Sequence, residues 1–117
     1  MRINEIQFTD AMPVDGYGPG FFRVAGAVHE GPMLMAGGTP RPWGGLPDEP
    51  ALLELAGTVD VLFVGMGAEI AHLPAALRAR LEAAGLGVEV MNSPAACRTY
   101  NVLLSEGRRV AIAALPV

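Results

Sequence analysis

Residues 59–115, VDVLFVGMGAEIAHLPAALRARLEAAGLGVEVMNSPAACRTYNVLLSEGRRVAIAAL, decide the fold. Val59 to Val64 is an apolar run broken only by Asp60, which predicts a strand covered on both faces and ended by Gly65-Met66-Gly67. Pro74 opens a helix in which Leu73, Leu77 and Leu81 share one face, Arg78 and Glu82 form an exposed pair four residues apart, and Gly85 closes it. Leu86 to Met91 reads as the next strand. Ser93 and Pro94 cap and open a further helix running to about Glu106, Gly107 ends it, and Arg108 to Leu115 is the last strand. Strand, helix, strand, helix, strand is the pattern of an α/β sheet with helices packed on it, with right-handed crossovers wherever joined strands are parallel. The direction of the last strand stays open at this point, because a helix over 95–106 can return the chain either way.

Upstream, Asp48 is placed to cap a short helix over Glu49 to Ala56, with Pro50 in its first turn and Gly57 stopping it. Gly37 to Pro47 holds four glycines and three prolines around Trp43 and reads as one long loop. The first third is β-rich. Ile3 to Phe8 alternates apolar and polar residues as an edge or covering strand does, and Asp15 to Gly20 is dense in turn formers and reads as a loop. Phe21 to Val24, the stretch around Val28, and Met33 to Ala36 read as short strands. No repeat, low-complexity tract or linker interrupts the chain, so residues 1–117 are expected to form a single domain.

Composition narrows the function classes. With 51% hydrophobic and 17% charged residues, the 117-residue chain carries enough apolar surface to offset the entropy of ordering one core. No apolar run approaches the roughly 20 residues needed to cross a bilayer, so no membrane insertion is expected. Met1-Arg2-Ile3-Asn4-Glu5 puts an acidic residue where a secretory signal places its apolar stretch, which predicts a cytoplasmic protein. Cys97 is the lone cysteine, and His29 and His72 lie far apart, which argues against a disulfide or a zinc site; no cofactor is called for. The net charge of −4, with arginine as the only strongly basic residue type, offers no lysine-rich stripe for nucleic acid.

The helix after Ser93 separates into two sectors at ~100° per residue. Ala95, Ala96, Tyr100, Val102, Leu103 and Leu104 form a broad apolar arc, Arg98, Asn101 and Ser105 a narrow polar stripe, and Cys97 lies on the border. Cys97 follows soon after the helix start, where the helix dipole and Arg98 favour thiolate. It has no histidine placed beside it as a base, so the pattern gives it no catalytic role. The stripe reads either as a solvated face or as the polar lining of a ligand or partner site.

Met91 to Leu103, MNSPAACRTYNVL, followed by Glu106-Gly107-Arg108-Arg109-Val110, resembles the hallmark of the Mth-type domain family. Tyr17-Gly18-Pro19-Gly20-Phe21, Pro42-Trp43 and Gly65-Met66-Gly67 fall in the order that family has them, so the likeness spans nearly the whole chain. The resemblance implies a three-layer α/β domain with a central mixed sheet of about five strands, its last strand antiparallel to the others. Relatives include a mitochondrial assembly factor for respiratory complex I, which acts through protein partners, and an adipogenesis-associated protein. The resemblance carries no enzyme activity with it, and it directs attention to Arg98, Tyr100, Asn101 and Glu106.

Other motifs are weaker. Gly65-Met66-Gly67 before a helix, with Glu89 downstream, is a poor dinucleotide turn: Ile70 replaces the third glycine and Glu69 brings negative charge to the phosphate position. Tyr17 to Gly20 is an anion nest lacking the donor that Pro19 removes. Trp43, beside Arg41, is either folded onto the domain or exposed as an interface anchor. Ser93 and Ser105 are the only serines, and neither lies in a G-x-S-x-G element. The reading that follows is a non-enzymatic interaction or assembly domain with a protein partner, connected with respiratory-complex biogenesis. Its rival is a protein binding a small molecule or anion, or an enzyme, with a pocket beside helix 95–106. Cys97, Arg98, Tyr100, Asn101, Glu106, Arg108 and Trp43 are the candidate ligand or partner residues.

Overall fold

In the computed structural model, which describes residues 11–117, the strands β6 (Val61–Met66) and β8 (Val110–Leu115) lie side by side at the centre of a five-stranded mixed sheet. The order is β5 (Thr39–Arg41), β4 (Met33–Ala36), β8, β6, β7 (Gly87–Met91). Both central strands are apolar on both faces because both faces are covered. Leu62, Val64, Ala111 and Ala113 point to one side with Leu34, Ala36 and Val88; Phe63, Val110, Ile112 and Ala114 point to the other with Met33 and Met35. This period-2 division splits one sheet into two cores.

The first core is closed by helices α1 (Glu49–Leu53) and α2 (Ala75–Ala83), through Leu52, Leu73, Leu77 and Leu81. The second is closed by α3 (Ser93–Ser105) and by a separate antiparallel sheet of β1 (Val14–Gly18), β2 (Phe21–Val24) and β3 (Ala27–Glu30), through Ala96, Cys97, Tyr100, Phe22 and Val24. The result is a three-layer α/β architecture with the central mixed sheet as its middle layer. β6 leads to β7 in one direction and β7 returns past β6 to β8 in the other. Crossovers of one hand then require α2 and α3 on opposite faces, where they are found.

Several sequence expectations are corrected. The last strand is antiparallel to β4 but parallel to β6, and β6 is parallel to β7, so it does not oppose all the others. Asp15 to Gly18 is strand, not loop. Gly18 gives up a side chain because a Cβ there would stand 2.5 Å from the Phe21 ring, and Gly16 faces Arg23. The Gly37–Pro47 loop contains β5, which tolerates Pro40 because it is an edge strand. Asp48 does not cap α1 with its side chain; its Oδ2 accepts from the Gly44 N–H at 3.0 Å instead, and the helix stops at Leu53. The strand expected over Ile3 to Phe8 lies outside the described residues. The Arg78–Glu82 pair forms at 3.2 Å on the exposed side of α2, as its spacing predicts. Among the described residues no helix is long and apolar enough to cross a membrane.

Ser93 is not the helix cap. Asn92 takes that place, its Oδ1 accepting from the Ala95 N–H at 2.8 Å, which frees the Ser93 hydroxyl for a tertiary role. It accepts from the Gly67 N–H at 2.9 Å and donates to the Leu115 carbonyl at 2.5 Å, while the Ser93 N–H donates to the Gly67 carbonyl at 2.8 Å. The chain just beyond β6 and the end of β8 are thereby tied to the start of α3. Gly65 permits this approach, since a Cβ on it would stand 2.7 Å from Ser93 Oγ and 2.8 Å from Ser93 Cα. Gly65→Ala is expected to lower stability by about 1–3 kcal/mol, because backbone has to move to admit the methyl. Urea unfolding checks this: an unchanged midpoint would show that α3 is free to shift.

Candidate functional site

α3 carries most of the candidate residues, and its buried sector places them one by one. Tyr100 is fully buried, and its hydroxyl accepts from the Gly38 N–H at 2.8 Å in the turn between β4 and β5. Gly38 is held at φ +83°, and its N–H is met by Tyr100 rather than by a neighbouring strand. Asn101, one residue on, acts as a surrogate strand partner. Its Oδ1 accepts from the Val14 N–H and its Nδ2 donates to the Val14 carbonyl, both at 2.9 Å. A primary amide matches the donor and acceptor of one backbone residue, so this pair anchors β1 to α3.

Cys97 is 4% exposed against Phe63 and the small sheet's core. Burial pushes its thiol up to about 11, outweighing the opposing influence of Arg98, so the thiolate expected from the helix start does not form near neutral pH. Trp43, 8% exposed, is folded onto the domain in the other core, on the far side of the sheet from α3. Its Nε1 is the only buried side-chain nitrogen or oxygen without a hydrogen-bond partner among the described residues.

Arg98, Glu106 and Arg108 are exposed. Arg98 rims a shallow depression of about 260 Å³ on the outward side of α3, with Thr99, Val102 and Leu103. Arg108 lies beyond the helix end and lines a different cleft of about 310 Å³ with Arg41, Arg109 and Thr58. Asn101 borders a third, about 350 Å³, with Pro13, Leu104 and Ser105. His72 and Arg78 border a fourth, about 420 Å³, against Ile70 and Val90 at the β7 edge. The candidate residues therefore do not converge on one site. Among the described residues, no three His, Cys, Asp or Glu side chains come together as a metal site would require.

The crevice between the carboxyl ends of β6 and β8 is filled by protein. Open α/β sheets bind ligands at the carboxyl ends of their strands; here the Ser93 hydroxyl and N–H occupy the ends of β6 and β8. Sequence reasoning missed this role because a serine before Pro94 carries the same signal as a helix cap. It also missed the gathering of Arg41 and Thr58 around the adjacent Arg108 and Arg109, which no local spacing encodes.

Cys97 and Tyr100 give the fold a defined alkaline response. Burial raises both, Tyr100 up to about 12 despite the Gly38 N–H, which acts the other way. The folded protein keeps protons that the unfolded chain releases, so stability is complete below the unfolded values and declines as pH rises through the folded ones. Unfolding free energy is expected to hold to about pH 9 and then fall, first from Cys97 toward pH 11, then from Tyr100 toward pH 12. Cys97→Ala removes the earlier part of that slope. Iodoacetamide should label the native thiol far more slowly than the urea-unfolded one; equal rates at pH 8 would contradict the burial.

Residues 14–115 match a family described as protein of unknown function (DUF498/DUF598). An uncharacterized protein of Rhodobacter capsulatus is 56% identical over 117 residues, covering all of this chain and 94% of that protein. A crystal structure described as an outer membrane protein from Bartonella henselae superposes with a TM-score of 0.82 at 34% identity, covering 91% of this chain and 95% of that one. A Bordetella pertussis protein described as a Mth938-like domain superposes with a TM-score of 0.78 at 29% identity, covering 99% of this chain and 92% of that one. The chain belongs to the DUF498/DUF598 family, the Mth-type domains of unknown function.

Proposed function

We propose that this domain is a non-enzymatic interaction module that engages a protein partner through the outward face of α3. The observation that carries the reading is the division of labour on that helix. Ser93, Tyr100 and Asn101 make hydrogen bonds to the backbone of other segments, and the Cys97 thiol is buried and neutral. What α3 presents outward is a low-relief patch of Arg98, Thr99, Val102 and Leu103, with Val102 55% exposed. An apolar centre with an arginine beside it has the composition of an interface core rather than of a catalytic cleft.

The resemblance to a family with a respiratory complex I assembly factor among its members supports a partner of that kind, a subunit awaiting assembly. A free, buried cysteine in place of a disulfide framework supports action in the cytoplasm.

The test is capture of partners by the tagged domain from its own host, in parallel with Val102→Glu and Arg98→Glu. Both positions are exposed, so each variant should melt within about 0.5 kcal/mol of the native protein. A partner enriched by the native chain and reduced about tenfold or more by either variant is expected, a loss of the size found at interface hot spots. Identical recovery by all three proteins would remove the basis for assigning this face.

A further inference from the structure

We propose that the cleft at the exit of α3 is a binding site for a small organic anion, a phosphate or carboxylate group on a compact apolar body. The site is independent of the outward face of α3. Three arginines line it from two parts of the chain: Arg41 from the end of β5, and the adjacent Arg108 and Arg109 from the turn between α3 and β8. Ala36, Val59 and Leu104 supply an apolar lining, and the side-chain donors among the described residues are the guanidinium groups alone, since the Thr58 hydroxyl at the margin gives its proton to the Leu55 carbonyl at 2.8 Å. At about 310 Å³ the cleft lies at the lower end of the ~300–1,000 Å³ range of small-molecule sites.

The charge balance points to an anion. Arg109 is met by Asp60, its Nη2 donating to Oδ1 at 3.0 Å and its Nε to Oδ2 at 3.4 Å. Among the described residues no carboxylate pairs with Arg41 or Arg108. Two further guanidinium groups thus share a concave surface with one already-paired arginine, in a chain whose net charge is −4. Like charges gathered this way repel, and an oxyanion accepting paired N–H bonds from a guanidinium relieves that cost.

The frame is preformed. The Arg108 N–H donates to the Leu103 carbonyl at 3.0 Å and the Gly107 N–H to the Leu104 carbonyl at 3.0 Å, with Gly107 at φ +80°. The Arg109 carbonyl accepts from the Asp60 N–H at 2.8 Å, and the Val110 carbonyl from the Gly37 N–H at 3.0 Å. The turn bearing both arginines is therefore fixed on either side. Two of these bonds occupy the Leu103 and Leu104 carbonyls at the negative end of the α3 dipole, and the guanidinium groups supply the positive charge that an anion needs against that end.

The experiment is a two-dimensional amide NMR titration of the full chain with phenyl phosphate, benzoate, inorganic phosphate and the neutral benzyl alcohol. Saturable shifts at Gly37, Thr58, Gly107 and Arg109 are expected with phenyl phosphate or benzoate, and the tighter of the two identifies the head group. Arg41→Gln and Arg108→Gln should each weaken binding about tenfold, the usual size for a lost charge-assisted hydrogen bond. Arg23→Gln, on the distant small sheet, should change nothing, and retained peak dispersion reports that each variant is folded. No saturable shift with either aromatic anion at millimolar concentration would overturn the proposal. So would equal shifts from benzyl alcohol, equal binding of inorganic phosphate, or native affinity in the Arg41→Gln, Arg108→Gln double variant.

Discussion

The Ser93 hydroxyl is the joint on which the layers depend. It accepts from Gly67 beyond β6 and donates to Leu115 at the end of β8, so the carboxyl ends of two strands already paired in register are both bonded to one atom of α3. The contact needs Gly65 to lack a Cβ and Asn92 to take over the capping duty. Each neutral hydrogen bond contributes about 1 kcal/mol net, but a buried partner left unmet costs about 1–3 kcal/mol, so the joint is worth most through what its loss would strand. Its second consequence is functional. The crevice between the ends of β6 and β8, where an open α/β sheet offers donors to a ligand, is occupied by the protein's own groups.

The rest of α3 repeats the device. Tyr100 satisfies Gly38 in the β4–β5 turn, and Asn101 pairs with both backbone groups of Val14. Apolar contact between a small three-stranded sheet and a larger one is non-directional, and the free edge of the small sheet carries unpaired N–H and carbonyl groups. Phe22 and Val24 provide the packing, and Asn101 supplies the directional bonds that fix where β1 sits. Ser93, Tyr100 and Asn101, polar residues whose chemistry suggests a site, serve in this protein as hydrogen-bonding hardware of the fold.

Much of the fold was legible because it rests on periodicity. The continuous apolar run of β6 fits a strand covered on both faces, with Leu62 and Phe63 in opposite cores, and Leu77 and Leu81 bury one side of α2 with Leu73 packed just ahead of it. The features that escaped depend on contacts between distant residues. Gly16 and Gly18 make β1 look like a turn, although Gly18 is there to admit the Phe21 ring. Pro40 hides an edge strand, and the direction of β8 is set by its neighbours rather than by its own sequence. For Trp43 the sequence left two outcomes, and burial in the first core realises one of them. At the α3 exit, Arg108 was visible as a candidate ligand or partner residue, but its neighbours Arg41 and Thr58 come from segments that only the folded sheet brings near.

This division bears on how the family should be read. The segment carrying the resemblance, Met91 to Val110, contains the cap Asn92, the joint Ser93, the buried Ala96 and Cys97, and the anchors Tyr100 and Asn101. A motif so occupied specifies an architecture, and an architecture can serve unrelated purposes. A common fold with Bartonella and Bordetella proteins therefore does not imply a common ligand. What distinguishes one such domain from another has to lie in positions the architecture leaves free. In this chain those are the outward side chains of α3 and the arginines around its exit, where substitution changes charge and shape without disturbing a buried bond.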